Sequence, residues 1–354
     1  MKPILFVTGH APPDRVGAFA CLHEREDVRF ALFGGRARHA VAAPEPAALP
    51  FPSLAVAQRA VARLAASGRY RAVVCGTGGR VALPAAWLGA GRARVPFVLW
   101  SSLWAQPLSA AHVLGYPLML ALYSRADAVV TYGPHVSAYV RARGARNVHE
   151  APQAVDNEFW SAPADPLPRP APFSALFVGR ADPEKGLEVL LAAWRAAGLG
   201  PARAALVVAG LDPAEVPSAP AGVTIAGRLS PPQLRNLYAA SDVLIMPSIR
   251  TRTFLEPWGL VANEAFNQAC PVIATDAVGA AAGGLVRHER NGLIVRAGNA
   301  ADLAAAIARL ARDPGLVRRL GSTGAGDVAP FTQRAWAAGF SAALRTVGAS
   351  RKPC

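Results

Sequence analysis

The residues best placed to do chemistry together lie in Thr253-Phe254-Leu255-Glu256-Pro257-Trp258-Gly259-Leu260-Val261-Ala262-Asn263-Glu264. Behind them is an apolar run, Asp242-Val243-Leu244-Ile245-Met246-Pro247, that reads as a buried strand ending in a loop. Beyond Gly259, Leu260 to Phe266 has helical spacing and strong helix formers. Pro257 and Gly259 mark the helix start, so the N–H groups of Gly259, Leu260 and Val261 lie at its positive end, a seat for an anion. Glu256 before the helix and Glu264 in its early turns flank that seat. Amides take phosphate, and carboxylates accept hydrogen bonds from sugar or ribose hydroxyls. A nucleotide-sugar carries both groups. The spacing alone is weak: two glutamates eight apart are commonly solvated charge, Glu256 then being only a helix-dipole partner.

The neighbouring residues add weight. The stretch Glu256 to Glu264 resembles the Glu-x7-Glu signature of retaining glycosyltransferases of the GT-B fold, family 4 type. Ala265 to Asp276 resembles the helix-then-strand continuation of that family. Phe177-Val178-Gly179-Arg180-Ala181-Asp182-Pro183-Glu184-Lys185-Gly186-Leu187 resembles its strand-loop-helix carrying an Arg and a Lys. The resemblance implies that Glu256 meets the donor sugar's hydroxyls and Glu264 the ribose. It implies that backbone around Trp258, Gly259, Leu260 and Val261 meets sugar and phosphate. Arg180 and Lys185, on the loop that opens at Gly179, would hold the diphosphate. A leaving nucleoside diphosphate gains negative charge as the glycosidic bond breaks, so fixed cations there favour the transition state over the ground state. Glu256, Arg180 and Lys185 are therefore the catalytic candidates.

The same resemblance sets the base against Gly227-Arg228-Leu229, where backbone readout leaves UDP, GDP and ADP unseparated. Gly210 reads as a close-approach or an ordinary turn glycine. Gly17, in the connection Thr8 to Ala18, is the nearest counterpart of the family's glycine-rich loop, without the usual paired glycines. Leu99-Trp100-Ser101-Ser102-Leu103-Trp104 stands where many relatives carry a histidine, leaving Ser101, Ser102 or His10 as acceptor-side substitutes. Trp100 and Trp104 could stack on an acceptor sugar or pack in the core, the core being favoured for Trp100. No Asp-x-Asp occurs in the chain. Together with Arg180 and Lys185 this predicts leaving-group stabilisation without a metal, and no cofactor. The family implies front-face attack, with a donor phosphate oxygen helping to deprotonate the acceptor.

The chain has 354 residues, 52% of them hydrophobic, enough for two domains with large cores. Cys21, Cys75, Cys270 and Cys354 show no Cys-x-x-Cys spacing and read as reduced thiols. The N-terminus reads as a first strand rather than a signal peptide. Net charge is +14, evenly divided: 17 basic and 10 acidic residues up to Asp165, 20 and 13 beyond it. No nucleic-acid-binding signature appears, which leaves compositional bias or an anionic membrane surface. Arg94 to Arg125 encloses no charged residue, but its prolines, Gly115, Gln106 and His112 argue against a span. Peripheral contact there, or through a helix over Ser53 to Ser67 displaying Arg59 and Arg63, is the membrane alternative.

These residues need elements to position them. Strands are predicted at 4–8, 28–33, 72–75, 97–100 and 128–132, and helices at 53–67, 108–124 and 133–143. The second half restarts with strands at 174–178, 205–209, 223–226, 243–246 and 272–274, and helices at 187–197, 232–241, 260–269 and 300–312. Val278 to Val286 is expected to be a loop, and Asn291 to Val295 a turn entering a strand. Such alternation predicts an α/β protein of two Rossmann-like, doubly wound parallel-sheet domains; the resemblance implies that they face each other across a cleft. The expected domains are 1–160, joined by a final helix within 331–354 anchored by Trp336 and Phe340, and 173–330, with a proline-rich linker over 161–172.

The resulting expectation is a retaining glycosyltransferase. It would move a sugar from a nucleotide-sugar to a glycan, lipid-linked or small-molecule alcohol in cell-envelope polysaccharide or glycolipid synthesis. A cytoplasmic or inner-face peripheral location is expected. A non-catalytic nucleotide-sugar-binding subunit and a nucleotide-sugar epimerase are the rivals. A dinucleotide oxidoreductase is disfavoured because no Gly-x-Gly-x-x-Gly opens either domain.

Overall fold

The computed structural model describes residues 1–34, 48–165, 167–216 and 219–351. Cys354 and Pro166 of the expected linker lie outside them. The chain divides into two units, Met1–Asp156 with Phe331–Cys354, and Asn157–Pro330.

In the first unit the strands are β1 (Ile4–Thr8), β2 (Val28–Leu32), β3 (Ser53–Ala55), β4 (Val73–Gly76), β5 (Phe97–Ser101), β6 (Ala128–Thr131) and β7 (Val148–Glu150). They form one sheet in the order β3-β2-β1-β4-β5-β6-β7, parallel throughout. Between them run α1 (Pro13–Glu26), α2 (Val61–Ala65), α3 (Ala82–Ala93), α4 (Ala110–Leu114), α5 (Tyr116–Arg125) and α6 (Pro134–Arg141). Both faces are covered, which is why the strands are continuous apolar runs. Ile4 and Phe6 pack towards α1, whereas Leu5 and Val7 pack towards α2, α3, α5 and α6.

The second unit comprises α7 (Asn157–Ser161), β8 (Phe173–Val178), α8 (Leu187–Ala196), β9 (Ala204–Ala209), β10 (Val223–Gly227), α9 (Pro231–Ala240), β11 (Val243–Met246), α10 (Val261–Asn267), β12 (Val272–Thr275), α11 (Gly279–Ala282), β13 (Gly292–Val295), α12 (Ala300–Arg312) and α13 (Pro314–Val328). Its sheet is again parallel, in the order β10-β9-β8-β11-β12-β13. The last helix, α14 (Gln333–Thr346), belongs to the first unit, where Trp336 and Phe340 are fully buried beside Phe6, Phe19 and Trp100.

Several elements differ from the sequence reading. Ser53 to Ser67 is not one helix. Ser53–Ala55 extends the sheet beside Phe30, Ala31 and Leu32, and only Val61–Ala65 is α-helical. The edge of a parallel sheet supplies backbone partners that outweigh a local helical pattern. Leu108 to Ser124 breaks into α4 and α5 at Gly115, with Pro117 in the first turn of α5. The strand β7 and the helices α3 and α13 were not foreseen, and α11 replaces part of the loop expected at 278–286. Asn157–Ser161 packs with the second unit: Gln268 donates to the Trp160 carbonyl at 2.5 Å, and Trp160 meets Tyr238 edge-on. Cys75 and Cys270 are buried, and burial pushes both thiols far up, so neither is nucleophilic.

Candidate functional site

In the second unit the strand order reverses between β8 and β11. Open α/β sheets offer a ligand crevice outside the carboxyl ends of the strands at such a point. The two loops that leave these ends carry the candidate residues. After β8, Gly179 to Asp182 leads into a tight 3-10 turn, Pro183–Lys185, closed by Gly186 at φ 69°. A β-carbon at Gly186 would strike the Pro247 carbonyl, so only glycine lets the two loops approach. The Ile249 N–H then donates to the Glu184 carbonyl at 2.9 Å, stitching one loop to the other.

This approach delivers Lys185 to Glu256. The ammonium donates to Oε2 at 2.5 Å, with the Glu256 side chain only 9% exposed and that of Lys185 22%. Arg180 pairs with Asp182 at 2.6 Å. The Glu256 loop is fixed from below. Glu256 bridges Val278, its carbonyl accepts from Gly279 N–H at 3.0 Å, and the Trp258 carbonyl accepts from Ala280 N–H at 2.8 Å. Gly279 is needed there, because a β-carbon would meet the Pro257 carbonyl.

Gly259 adopts φ 92°, and the first turn bond runs from Ala262 N–H to the Gly259 carbonyl at 3.1 Å. The amides of Gly259, Leu260 and Val261 therefore precede the helical ladder, although α10 has only seven residues. Trp258 is buried, and its indole N–H donates to Asn263 at 2.8 Å. Its side chain packs the motif, so any ligand contact falls to its backbone. Glu264 is half-buried and accepts from the Tyr238 hydroxyl at 2.7 Å. Burial first, and then the Glu264 charge, hold the Tyr238 phenol well above its ordinary range, so it remains a donor. Neither Tyr238 nor Asn263 was picked out in sequence, since Tyr238 lies on α9, far from Glu264 along the chain.

The strand ends beside this pair are made of glycine. Gly179 N–H donates to the Ala209 carbonyl, and Gly210 N–H to the Gly227 carbonyl at 2.7 Å. A β-carbon at Gly210, φ 93°, would hit the Gly179 carbonyl, so its role is close approach between backbones. Beyond this edge Arg228 is exposed, 3.6 Å from Asp212, and Leu229 is half-buried.

In the first unit Gly17 does not sit in the connecting loop. It lies inside α1, where a β-carbon would strike the Gln333 side chain of α14. Helix packing accounts for this glycine. Trp100 packs in the core as expected, against Phe6, Trp336 and Phe340. Ser101 is buried at the end of β5, and Trp104 stacks edge-on to His135. Arg15 donates here to the Gln153 side-chain oxygen. Among the described residues no cluster of three or more His, Cys, Asp or Glu could hold a metal.

Residues 172–313 match the family model described as Glycosyl transferases group 1. The D-inositol 3-phosphate glycosyltransferase of Streptomyces bingchenggensis is 44% identical over 110 residues, 28% of this chain and 22% of that protein. The protein of the same name from Nocardia farcinica is 32% identical over 206 residues, 53% of this chain and 43% of that protein. The chain thus aligns with less than half the length of these curated relatives. Anabaena HepE, solved in complex with UDP and glucose, superposes with a TM-score of 0.75 at 18% identity, over 98% of this chain and all of that one. The sucrose-phosphate synthase of Thermosynechococcus elongatus gives 0.71 at 22% identity, over 99% of this chain and all of that one.

Two parallel-sheet Rossmann-like units with these neighbours define the GT-B fold class. Within it, residues 172–313 of the second unit are similar to the glycosyl transferases group 1 family.

Proposed function

We propose that this protein transfers a sugar from a nucleotide-sugar donor to an alcohol acceptor with retention of configuration. The observation that carries this reading is the Lys185–Glu256 contact at the switch point of the second sheet. One group suits phosphate and the other sugar hydroxyls, and each holds the other in place until a ligand arrives. In the proposed cycle Lys185 and Arg180 neutralise the departing diphosphate, Glu256 fixes the sugar and Glu264 the ribose. No metal is needed to balance the leaving charge. Titration of the full chain with UDP, GDP and ADP, followed by turnover of the matching sugars against a panel of alcohols, tests it. Binding without transfer or donor hydrolysis would favour a non-catalytic subunit. Product formed from the nucleotide-sugar alone would favour an epimerase.

We also propose that the first unit docks on anionic lipid, which would suit a lipid-linked acceptor of cell-envelope synthesis. Between Asp27 and Asp127 the sequence holds one acidic residue, Glu45, and eleven arginines. On this stretch Arg59, Arg63, Arg80, Arg92, Arg94 and Arg125 are exposed. So are Leu108, Val113, Leu114 and Leu118, with Leu114 at 83%. Arginines and an exposed apolar shoulder together suit a bilayer interface. No helix among the described residues is long and apolar enough to cross a membrane. Sedimentation with phosphatidylglycerol vesicles, but not with phosphatidylcholine, is expected. Equal recovery with both would remove the docking proposal.

A further inference from the structure

Between β11 and Glu256 the chain runs Ser248-Ile249-Arg250-Thr251-Arg252-Thr253-Phe254-Leu255, with two arginines and no acid. One end of this loop is held at the Lys185 turn, where the Ile249 N–H donates to the Glu184 carbonyl at 2.9 Å. The other end is Glu256 itself, behind the buried Leu255. Midway the chain doubles back on itself. Thr251 N–H donates to the Phe254 carbonyl at 3.0 Å, and Phe254 N–H donates to the Thr251 hydroxyl oxygen at 3.0 Å. A threonine side chain thus closes a tight turn that carries Arg252 and Thr253 at its tip. Arg250 lies at the base of the turn, next to Ile249. Both arginines are exposed. Among the described residues neither makes an ion pair or a hydrogen bond, whereas Arg180 and Lys185 are each held by an acid. An exposed arginine on an open surface is ordinary solvated charge. Here two of them sit on a preordered turn that begins beside Lys185 and ends at Glu256, on the rim of the crevice where β8 and β11 part.

We infer that Arg250 and Arg252 form a carboxylate seat beside Glu256, and that the sugar this protein transfers is an acidic one, a nucleotide-linked uronic acid. The inference rests on the transfer reading above, with Lys185 at the diphosphate and Glu256 at the sugar. A uronic acid joins the diphosphate through one ring carbon and bears its carboxylate on the carbon across the ring oxygen. Hydroxyls on the remaining ring carbons suit the carboxylate of Glu256, which accepts, and the sugar's own carboxylate suits guanidinium groups, which donate. The planar fork of arginine fits a carboxylate with two parallel hydrogen bonds, while the hydroxymethyl group of a neutral hexose offers it only one uncharged oxygen. The two arginines would therefore separate an acidic donor from its neutral parent, although both share nucleotide, diphosphate and ring hydroxyls.

The full chain is titrated with UDP, GDP and ADP, with the neutral donors UDP-glucose, UDP-galactose, GDP-mannose and ADP-glucose, and with the acids UDP-glucuronate, UDP-galacturonate and GDP-mannuronate. Wild type is compared with Arg250→Gln, Arg252→Gln, the double variant, Arg252→Lys and Lys185→Ala. Wild type is expected to bind one acid roughly tenfold or more tighter than its neutral parent. Each glutamine variant is expected to lose roughly tenfold in affinity for that acid, the loss of one charge-assisted contact, and the double variant to lose the preference altogether. Arg252→Lys keeps the charge without the fork and should retain only part of the preference. Lys185→Ala should weaken the diphosphate, the acid and the neutral parent in step, leaving the preference in place. Exposed loop arginines contribute little to stability, so all the arginine variants should melt with the wild type. If the glutamine variants weaken the free diphosphate as much as the acid, the arginines serve the phosphates and the inference is overturned. Equal or tighter binding of the neutral parents by the wild type overturns it as well, and leaves the transfer reading standing. Binding of no nucleotide and no nucleotide-sugar sinks both.

Discussion

Lys185 and Glu256 come from separate loops, and each is the other's counter-charge. Replacing Lys185 by Ala should lower kcat by about 10²-fold, the usual loss for one fixed donor at a developing negative charge. Glu256→Ala should fold and lose transfer; full turnover with any donor would discard its role. Turnover in excess EDTA should match the untreated rate if Lys185 and Arg180 balance the leaving charge as proposed. Tyr238→Phe removes the hydroxyl that holds Glu264. One neutral-to-charged hydrogen bond of about 1.5 kcal/mol corresponds to roughly tenfold weaker nucleotide binding, with kcat little changed. The carboxylates and cations could be proposed from sequence because the stretches around them together resemble one family's motifs, not because of their spacing alone. Tyr238 was not, because a tyrosine on an amphipathic helix carries no sign of what it will face. Gly17 shows the converse: its residue type suggested a phosphate loop, while its position in α1 serves helix packing.

At the scale of elements, close backbone approach does most of the positioning. Gly186 combines φ 69° with a β-carbon position occupied by the Pro247 carbonyl. Gly186→Ala should cost about 2 kcal/mol or more, through strain and displacement of the loop. That is a melting drop of roughly 4–8 °C for a unit of this size. Nucleotide affinity should fall with it, since Lys185 is the preceding residue. A variant with wild-type melting and binding would show that the two loops need not touch. Apart from the edge strands β3 and β7, the strands of both sheets were readable because parallel strands buried on both faces are apolar runs. The edge strand Ser53–Ala55 was not, since three residues have no period of their own and take their conformation from β2. The break between α4 and α5 could have been read from Gly115 and Pro117.

At the scale of the whole molecule, the chain's return through α14 completes the first unit. Trp336, Phe340 and Leu344 are fully buried there. At about 1.5–3 kcal/mol for each large apolar side chain buried, these three approach the whole stability of a typical domain. Ending the chain at Pro330 should therefore abolish cooperative unfolding of the first unit, seen as lost near-UV dichroism and gained dye binding. Unchanged dichroism from its tryptophans would show that α14 is dispensable. The same junction confers pH dependence. Burial first, and then Arg345 and Arg141, lower the His149 pKa from its ordinary 6.5. The unfolded chain therefore takes up this proton at a higher pH than the fold does. The stability involved is present above about pH 6.5 and is lost as pH falls from there through the lower folded value. Denaturant midpoints at pH 7.5 and 5.5 should converge in His149→Gln relative to wild type.

The sequence by itself pointed to the residues proposed to hold a phosphate and a sugar, and determined that two parallel α/β units would carry them. Residue type and apolar runs are local properties, and they survive any arrangement of the chain. Only the tertiary structure decided that Lys185 reaches Glu256, that Tyr238 serves Glu264 and that Trp258 turns inward to Asn263. Each of these depends on which strand lies beside which, and strand order is set by packing between segments far apart in the chain.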